Sequence, residues 1–176
     1  MTGVRGGGAS FESTVRLECV GDAAAVRAVH VASFASTQEA TLVDELRRAG
    51  RLTVSLVALV DDKVVGHVAF SPVRASNGEI GLGLAPVAVL PGRRCRGVGS
   101  ALIRAGLSAC SEAEWGWVVV LGEPEFYARL GFVPAADFGL VDEYGGGRAF
   151  QALELVEGAL PRGTGLVRYG PEFASL

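Results

Sequence analysis

The stretch PVAVLPGRRCRGVGSALIRAG, Pro86 to Gly106, changes from a strand pattern to a helix pattern within a few residues. It starts with small and β-branched apolar residues, breaks at Pro91, and then places arginines around Gly97 and Gly99. From Gly99 onward the apolar positions recur at helical spacing. The stretch therefore predicts a strand, a tight basic corner and a helix, in that order.

This basic corner has the chemistry of an anion site. The first backbone N–H groups of a helix have no intrahelical partners and lie at the positive end of the helix dipole. Gly97 and Gly99 lack a Cβ atom that would keep an anion away, and Arg93, Arg94 and Arg96 add charged donors. A glycine-rich turn with solvated arginines explains the same residues, so the corner alone leaves both interpretations open.

Two familiar phosphate-binding motifs do not match the corner. The dinucleotide fingerprint requires a third glycine where this sequence has Leu102, and the Walker loop requires a Gly-Lys-Ser/Thr sequence that is absent. A plain nucleotide-binding domain is therefore disfavoured. The spacing that matches is Arg/Gln-x-x-Gly-x-Gly/Ala after a proline-marked strand, at Arg94, Gly97 and Gly99.

Size and composition limit the class of protein. With 176 residues, of which 49% are hydrophobic, we expect a single domain over residues 11–176, preceded by a disordered glycine-rich tail over residues 1–10. The net charge of -3 argues against a nucleic-acid binder. The cysteines are not spaced as in zinc sites or disulfide frameworks, so we expect no metal. No apolar run is long enough for a membrane span or a signal peptide, which predicts a cytoplasmic protein without membrane partners.

Hydrophobic periodicity predicts a mixed α/β fold. Short strands, helices and an antiparallel hairpin around DDK precede a strand, GEIGLGLAPVAVL, in which Pro86 indicates a bulge or a splayed strand. Asp22 is the predicted N-cap of the first helix. After the basic corner the pattern gives a helix, the strand WGWVVVLG, the short helix EPEFYARLG and the strand FQALELV. This order predicts a mixed sheet with helices packed on it.

Two motifs in order resemble the GCN5-related N-acetyltransferases (GNAT). Pro86 to Gly106 resembles motif A of that superfamily, whose loop holds the pyrophosphate of acetyl-CoA. The stretch VVVLGEPEFYARLGFVPA resembles motif B, with Tyr127, Gly131 and Phe132 at the matching positions. FQALEL resembles the closing strand of a bacterial branch of small, mostly uncharacterised members. Most of the chain, from TVRLECV to ALELV, follows the family's order of elements.

The resemblance implies the GNAT fold, which is a mixed, mainly antiparallel sheet with helices on both faces and a V-shaped cleft between splayed central strands. It also assigns cofactor residues. In the family the pantetheine arm of acetyl-CoA pairs with the splayed strand, which here is Val87, Ala88 and Val89. The pyrophosphate would be held by the loop residues Arg94, Cys95, Arg96, Gly97, Val98, Gly99 and Ser100.

The resemblance also assigns catalytic candidates. Family members transfer acetyl by direct attack in a ternary complex, and Tyr127 matches the position where many relatives place the acid that protonates the thiolate. An aromatic helix edge that packs on the sheet explains the same tyrosine. Glu79 lies in the region where relatives often carry the base, but its position after SNG favours an exposed turn residue. His67 is predicted to be a half-buried structural histidine, and His30 is given no role.

The sequence thus predicts transfer of acetyl from acetyl-CoA to the primary amine of a small molecule or a peptide. The insertion DFGLVDEYGGGR, predicted to be a mobile hairpin tip, borders the acceptor site in the family but carries no substrate code. A homodimer is compatible with the family. The alternative is a non-catalytic acyl-CoA sensor, or a partner-binding module, that keeps the same cofactor loop.

Overall fold

The computed structural model describes residues 12–163 and 165–176, and the predicted tail over residues 1–10 lies outside them. The helices are α1 Ala23–Ser33, α2 Gln38–Arg48, α3 Val98–Glu112 and α4 Pro124–Ala128. The strands are β1 Thr14–Leu17, β2 Val54–Val60, β3 Lys63–Ala75, β4 Ile80–Val89, β5 Trp117–Leu121, β6 Val133–Pro134, β7 Leu140–Asp142, β8 Phe150–Glu154 and β9 Gly165–Arg168.

The strands form one mixed sheet in the order β1-β2-β3-β4-β5-β8-β6. Every neighbouring pair on this path is antiparallel except β4 and β5, which run parallel. Strand β9 adds to the edge of β3 and pairs in parallel with β7. The predicted mixed, mainly antiparallel sheet is confirmed.

Helices cover both faces of this sheet because the strand residues alternate in direction. On one face, Val98 and Leu102 of α3 and Tyr127 of α4 pack in a core with Leu56 and Phe70 of the sheet. On the other face, Val26 of α1 and Val43 of α2 pack on Val57. The residues Leu56 and Val57 are adjacent in β2, so one strand contributes to both cores.

Strand β4 separates from β5 in the middle of the sheet. The two strands pair only at Leu82 with Val118 and at Gly83 with Val119, and β4 then continues to Val89 without β5 beside it. We call the opening beyond Gly83 and Val119 the cleft. The register between β3 and β4 shifts just beyond Leu84, at the Ala85–Pro86 peptide, which is cis. The bulge and the splay, offered as alternatives for Pro86, occur together.

Two glycines of β4 make room for aromatic rings. A Cβ atom at Gly81 would overlap the ring of Trp117, and one at Gly83 would lie 2.7 Å from the ring of Tyr169. The alternation of glycine in GLGL therefore follows from rings that pack closely against one face of the strand. Tyr169 is thereby placed beside the last β4–β5 pair.

Two local expectations are corrected. The insertion DFGLVDEYGGGR does not form the predicted hairpin, because β7 pairs in parallel with β9 and the Asp142 carboxylate accepts the backbone N–H groups of Tyr144 and Gly146, both at 2.8 Å. Asp22 precedes α1 but makes no side-chain cap to it. Its carboxylate instead accepts the Cys19 N–H at 2.7 Å and pairs with Arg16 at 2.6 Å.

Candidate active site

The hydrogen-bond alternation of β4 decides which of its backbone groups face the cleft. The Leu90 N–H donates to the Val65 carbonyl of β3 at 2.9 Å. In an antiparallel pair the hydrogen-bonded residues alternate, so Ala88 also faces β3, whereas Val87 and Val89 direct their N–H and C=O groups the other way. These groups therefore face the cleft, where β5 no longer runs beside β4.

Arg94 ties the end of β4 to the end of α1. Its guanidinium donates to the Val89 carbonyl at 3.1 Å and to the Ser33 carbonyl at 2.7 Å, and the Ser33 hydroxyl donates to the same Val89 carbonyl at 3.1 Å. The Val89 C=O is therefore occupied, while its N–H is the group that the cleft leaves available. The positive charge of Arg94 stays at the mouth of the cleft.

The loop between β4 and α3 exposes the start of the helix. Cys95 and Gly97 have φ values of 58° and 79°, in the left-handed region that favours glycine. No side chain caps α3 at Gly97, and a Cβ atom at Gly97 would meet nothing within 4 Å. The N–H groups of Val98, Gly99 and Ser100 begin the helix and have no intrahelical acceptor. The predicted cofactor residues thus follow one another from the end of β4 to the start of α3, and the side chains of Ala88 and Val98 among them are buried.

Tyr127 lies beside the end of β5. It is 6% exposed, its ring occupies the space where a Cβ atom at Gly122 would be, and it meets Phe126 and Phe132 edge-on at 5.0 and 5.6 Å between ring centroids. Burial raises the pKa of Tyr127 to about 12. The phenol is therefore neutral at ordinary pH and is a hydrogen-bond donor, and it packs in the core at the same time.

Glu79 is not brought together with the other predicted site residues. It lies in the turn before β4, where its backbone N–H and its carboxylate bond to the Asn77 side chain at 3.0 and 2.8 Å. Eight residues of strand separate it from Val87, which at about 3.3 Å per residue is roughly 25 Å. The cleft opens at the far end of that strand.

Two histidines form a fully buried pair that the sequence did not predict. His30 of α1 and His67 of β3 are each 0% exposed, so the prediction of a half-buried His67 is wrong. The His30 Nε2 and His67 Nδ1 atoms are 2.8 Å apart, and His67 Nε2 lies 2.8 Å from the Ser55 hydroxyl. That hydroxyl donates to Glu18. The partners come from separate elements, so no local motif signals the pair.

A cavity lies on the side of the cleft opposite to Tyr127, and we call it the C-terminal pocket. It has a volume of about 360 Å³ and is lined by Ala85, Leu121, Tyr144, Tyr169, Phe173 and Leu176. Sequence analysis placed only Tyr144 near an acceptor site. Tyr169, Phe173 and Leu176 follow the last predicted strand, where no periodic pattern marked them.

Two further observations concern the described part of the chain. None of its helices has the length and apolar character needed to cross a membrane. Its His, Cys, Asp and Glu side chains form no group of three or more that would hold a metal ion.

Known proteins are similar in sequence to this chain along most of its length. Residues 52–134 match the family model of the acetyltransferase (GNAT) domain. The chain is 40% identical over 162 residues to the uncharacterized N-acetyltransferase YhbS of Escherichia coli K12, covering 90% of this chain and 97% of that protein. It is 38% identical over 122 residues to the uncharacterized N-acetyltransferase YjhQ of the same strain, covering 65% and 66% of the two chains.

Solved structures share the fold. The crystal structure of Escherichia coli YhbS in complex with CoA matches with a TM-score of 0.89 and 39% identity, over 93% of each chain. A GNAT family acetyltransferase from Brucella melitensis in complex with acetyl-CoA matches with a TM-score of 0.77 and 37% identity, over 93% of this chain and 99% of that one.

Proposed function

The chain belongs to the GCN5-related N-acetyltransferase family, and from this premise we propose that it moves acetyl from acetyl-CoA to a primary amine by direct attack. The observation that carries the proposal is the cleft, which leads from free backbone groups of β4 directly into the basic loop before α3. The CoA and acetyl-CoA bound to the two solved relatives support this choice of co-substrate.

The cofactor would be held by backbone groups more than by side chains. We propose that the pantetheine arm pairs with the cleft side of Val87 to Val89, as an added strand would. The pyrophosphate would accept hydrogen bonds from the loop and the first N–H groups of α3, within residues 94–100. Arg94 then has two tasks, since it fixes the end of β4 through Val89 and contributes positive charge beside the phosphates.

The chemical step follows from these positions. The amine nitrogen attacks the thioester carbonyl carbon, and the oxyanion that forms accepts a hydrogen bond from the Val89 N–H. The C–S bond then breaks with its electron pair on sulfur, and the thiolate takes a proton from the Tyr127 phenol. The phenol regains its proton from solvent. The amine gives its own proton to water, because Glu79 lies roughly 25 Å along β4 from this point.

A non-catalytic acyl-CoA sensor is the second candidate. The position of Glu79 favours it, since the carboxylate predicted as base sits in a turn at the other end of β4. A sensor would bind acetyl-CoA and release no free CoA thiol when amines are added, whereas the transferase would release it in proportion to acetylated amine.

Binding is tested first by thermal unfolding with CoA, acetyl-CoA and ATP. A ligand at 100 times its Kd stabilises the native state by about 2.7 kcal/mol, which raises Tm by roughly 5 to 10 °C in a domain of this size. We expect that rise with both CoA forms and none with ATP. A protein that no CoA form stabilises would contradict the proposed function. The cytoplasmic location, the homodimer and the single domain over residues 11–176 stay predictions.

A further inference from the structure

The C-terminal pocket opens into the cleft from the side opposite to Tyr127. Tyr127 shares its core with Val120, whereas Leu121 packs with Tyr169 in the core of the other sheet face. Ala85 of the pocket is two residues beyond the last β4–β5 pair, and Leu121 is the last residue of β5. A molecule in the pocket would therefore reach the cleft across from Tyr127.

The pocket wall is apolar and aromatic. The ring of Tyr169 lies between those of Tyr144 and Phe173, at 5.9 and 4.9 Å between centroids. Leucine and alanine side chains complete the lining, and none of the residues that line it is a lysine, arginine or histidine. An apolar body of a ligand is stabilised here, but a carboxylate would lose its hydration without gaining a cationic partner.

Polar and negatively charged groups lie next to the pocket residue Tyr169. The Tyr169 hydroxyl is buried and has no hydrogen-bond partner among the residues that the structure describes. Burial raises the pKa of Tyr169, and the nearby Asp142, Tyr144, Glu143 and Tyr127 raise it further, so the phenol stays neutral. The Glu143 carboxylate accepts the Tyr169 backbone N–H at 2.8 Å. Negative charge and aromatic faces together attract a cation such as an ammonium group.

The same pocket favours the form of the amine that reacts. Removing an ammonium group from water lowers its pKa, because a low-dielectric environment disfavours the charged form. The acidic groups favour the ammonium form, and desolvation opposes them once the hydrocarbon body fills the pocket, so the amine loses its proton more easily there than beside the same groups in water.

Resting on the acetyl transfer proposed above, we propose that the C-terminal pocket holds the hydrocarbon body of the acceptor. The acceptor is a primary amine on an aryl or alkyl chain, with no carboxylate next to the nitrogen. Free α-amino acids are excluded as good acceptors because their carboxylate finds no cationic partner in this lining, and polyamines because their second ammonium group would lose its hydration against apolar side chains.

A substrate panel tests this assignment directly. The enzyme and acetyl-CoA are given 2-phenylethylamine, L-phenylalanine or spermidine, and release of the CoA thiol is measured. We expect kcat/KM for 2-phenylethylamine to exceed that for L-phenylalanine by at least about 100-fold, because these two differ only in a carboxylate that the pocket cannot pair. A preference for L-phenylalanine or spermidine would overturn the assignment and leave the proposed transfer intact.

A pair of variants tests the location. Tyr144 is 50% exposed and forms one wall of the pocket, so Tyr144→Ala should lower kcat/KM for 2-phenylethylamine by about 10-fold with an unchanged KM for acetyl-CoA. Val141 is 55% exposed and lies outside the pocket, and Val141→Ala should leave both values unchanged. Equal effects of the two variants on kcat/KM would overturn the assignment.

Two more measurements distinguish a failure of the pocket assignment from a failure of the proposed acetyl transfer. If Tyr144→Ala weakens the use of hexanoyl-CoA and not that of 2-phenylethylamine, the pocket receives the acyl chain and the assignment is overturned. Calorimetric titration of 2-phenylethylamine into the CoA complex is independent of turnover. Binding without acetylation would remove the proposed transfer and keep the pocket assignment, whereas acetylation of other amines without such binding would remove the pocket assignment alone.

Discussion

At the scale of single residues, Tyr127 shows that a packing role and a chemical role do not exclude each other. Its ring fills the space beside Gly122 and contacts two phenylalanines, which explains its burial. The same burial raises the pKa of Tyr127 to about 12 and keeps the proton on the phenol. The two interpretations of this residue from sequence were therefore compatible.

Replacing Tyr127 by phenylalanine separates these roles. Tyr127→Phe keeps the ring and removes the proposed acid, so kcat should fall by about 100-fold while the KM for acetyl-CoA stays within about twofold. Steady-state kinetics and thermal unfolding together measure this, with Tm as the control for packing. In the unmodified protein, kcat should show no loss through ionisation of Tyr127 up to about pH 10, since its pKa is about 12. An unaltered kcat in Tyr127→Phe would remove the residue from the mechanism.

At the scale of elements, local signals predicted most of the strands and helices. The turn between β2 and β3 places Asp61 and Asp62 at φ values of 50° and 59°, and Asp tolerates this left-handed region better than most residues. Pro86 marked both the bulge and the splay of β4. These features depend on a few adjacent residues, which is why their sequences were sufficient.

Elements that depend on distant partners were missed. Strand β7 is three residues long and is held by β9 from the end of the chain, so its own sequence carries no strand pattern. The rings of Trp117 and Tyr169 fill the space beside Gly81 and Gly83 of β4, and the sequence around these glycines does not indicate either ring. Such packing is invisible to a window of neighbouring residues.

The start of α3 allows a test of the proposed phosphate site. Arg94→Glu removes the bonds to the Val89 and Ser33 carbonyls and places a negative charge beside the pyrophosphate, so the Kd for CoA should rise by at least about 100-fold. Isothermal titration with CoA gives this value. Arg104→Glu makes the same charge reversal on the exposed side of α3, outside the loop, and should change Kd by less than about threefold. Similar losses in both variants would show that only net charge matters.

At the scale of the whole molecule, the two halves of the candidate site differ in how far sequence predicts them. The cofactor half is contiguous from Val87 to Ser100 and carries a motif. The acceptor half is assembled from the end of β5, the segment after β7 and the residues after β9, whose apolar character is ordinary for a core. A site assembled from separate segments shows no spacing, so it emerges only once the chain is folded.

The buried histidine pair also links distant parts of the molecule, and its proton positions follow from counting donors. The Ser55 hydroxyl gives its single hydrogen to Glu18 and must accept from His67 Nε2. A neutral His67 then accepts at Nδ1 from His30 Nε2. The Glu18 carboxylate also forms an ion pair with the Arg47 guanidinium of α2 at 2.5 Å. With both imidazoles neutral, this chain of bonds joins α1, α2, β2 and β3, whereas protonating both would set two N–H donors against each other.

This arrangement predicts a loss of stability in mild acid. Burial first, and then His67 and Arg47, lower the pKa of His30 to about 3, and burial lowers that of His67. Both lie below the unfolded value near 6.5, so the unfolded state binds more protons below that pH. The stability contributed by this pair is complete above pH 6.5 and falls with the pH below it. The His30 contribution falls by up to about 1.4 kcal/mol per pH unit as the pH drops toward 3, and the His67 contribution changes in the same direction. Urea unfolding at several pH values from 8 to 4.5 measures the slope.

His30→Leu removes one of the two titrations and should make that slope shallower, whatever it does to stability at pH 8. The Phe34 ring stacks on His30 with 5.9 Å between ring centroids, and it has no titratable group. Phe34→Leu should therefore lower stability by a similar amount at every pH. Glu18 contributes only at lower pH. Burial raises its pKa, but bonds from His67, Ser55 and Arg47 lower it to about 2, and its stabilisation is lost between about pH 4.5 and 2. Equal slopes above pH 4.5 in His30→Leu and the unmodified protein would contradict a neutral buried pair.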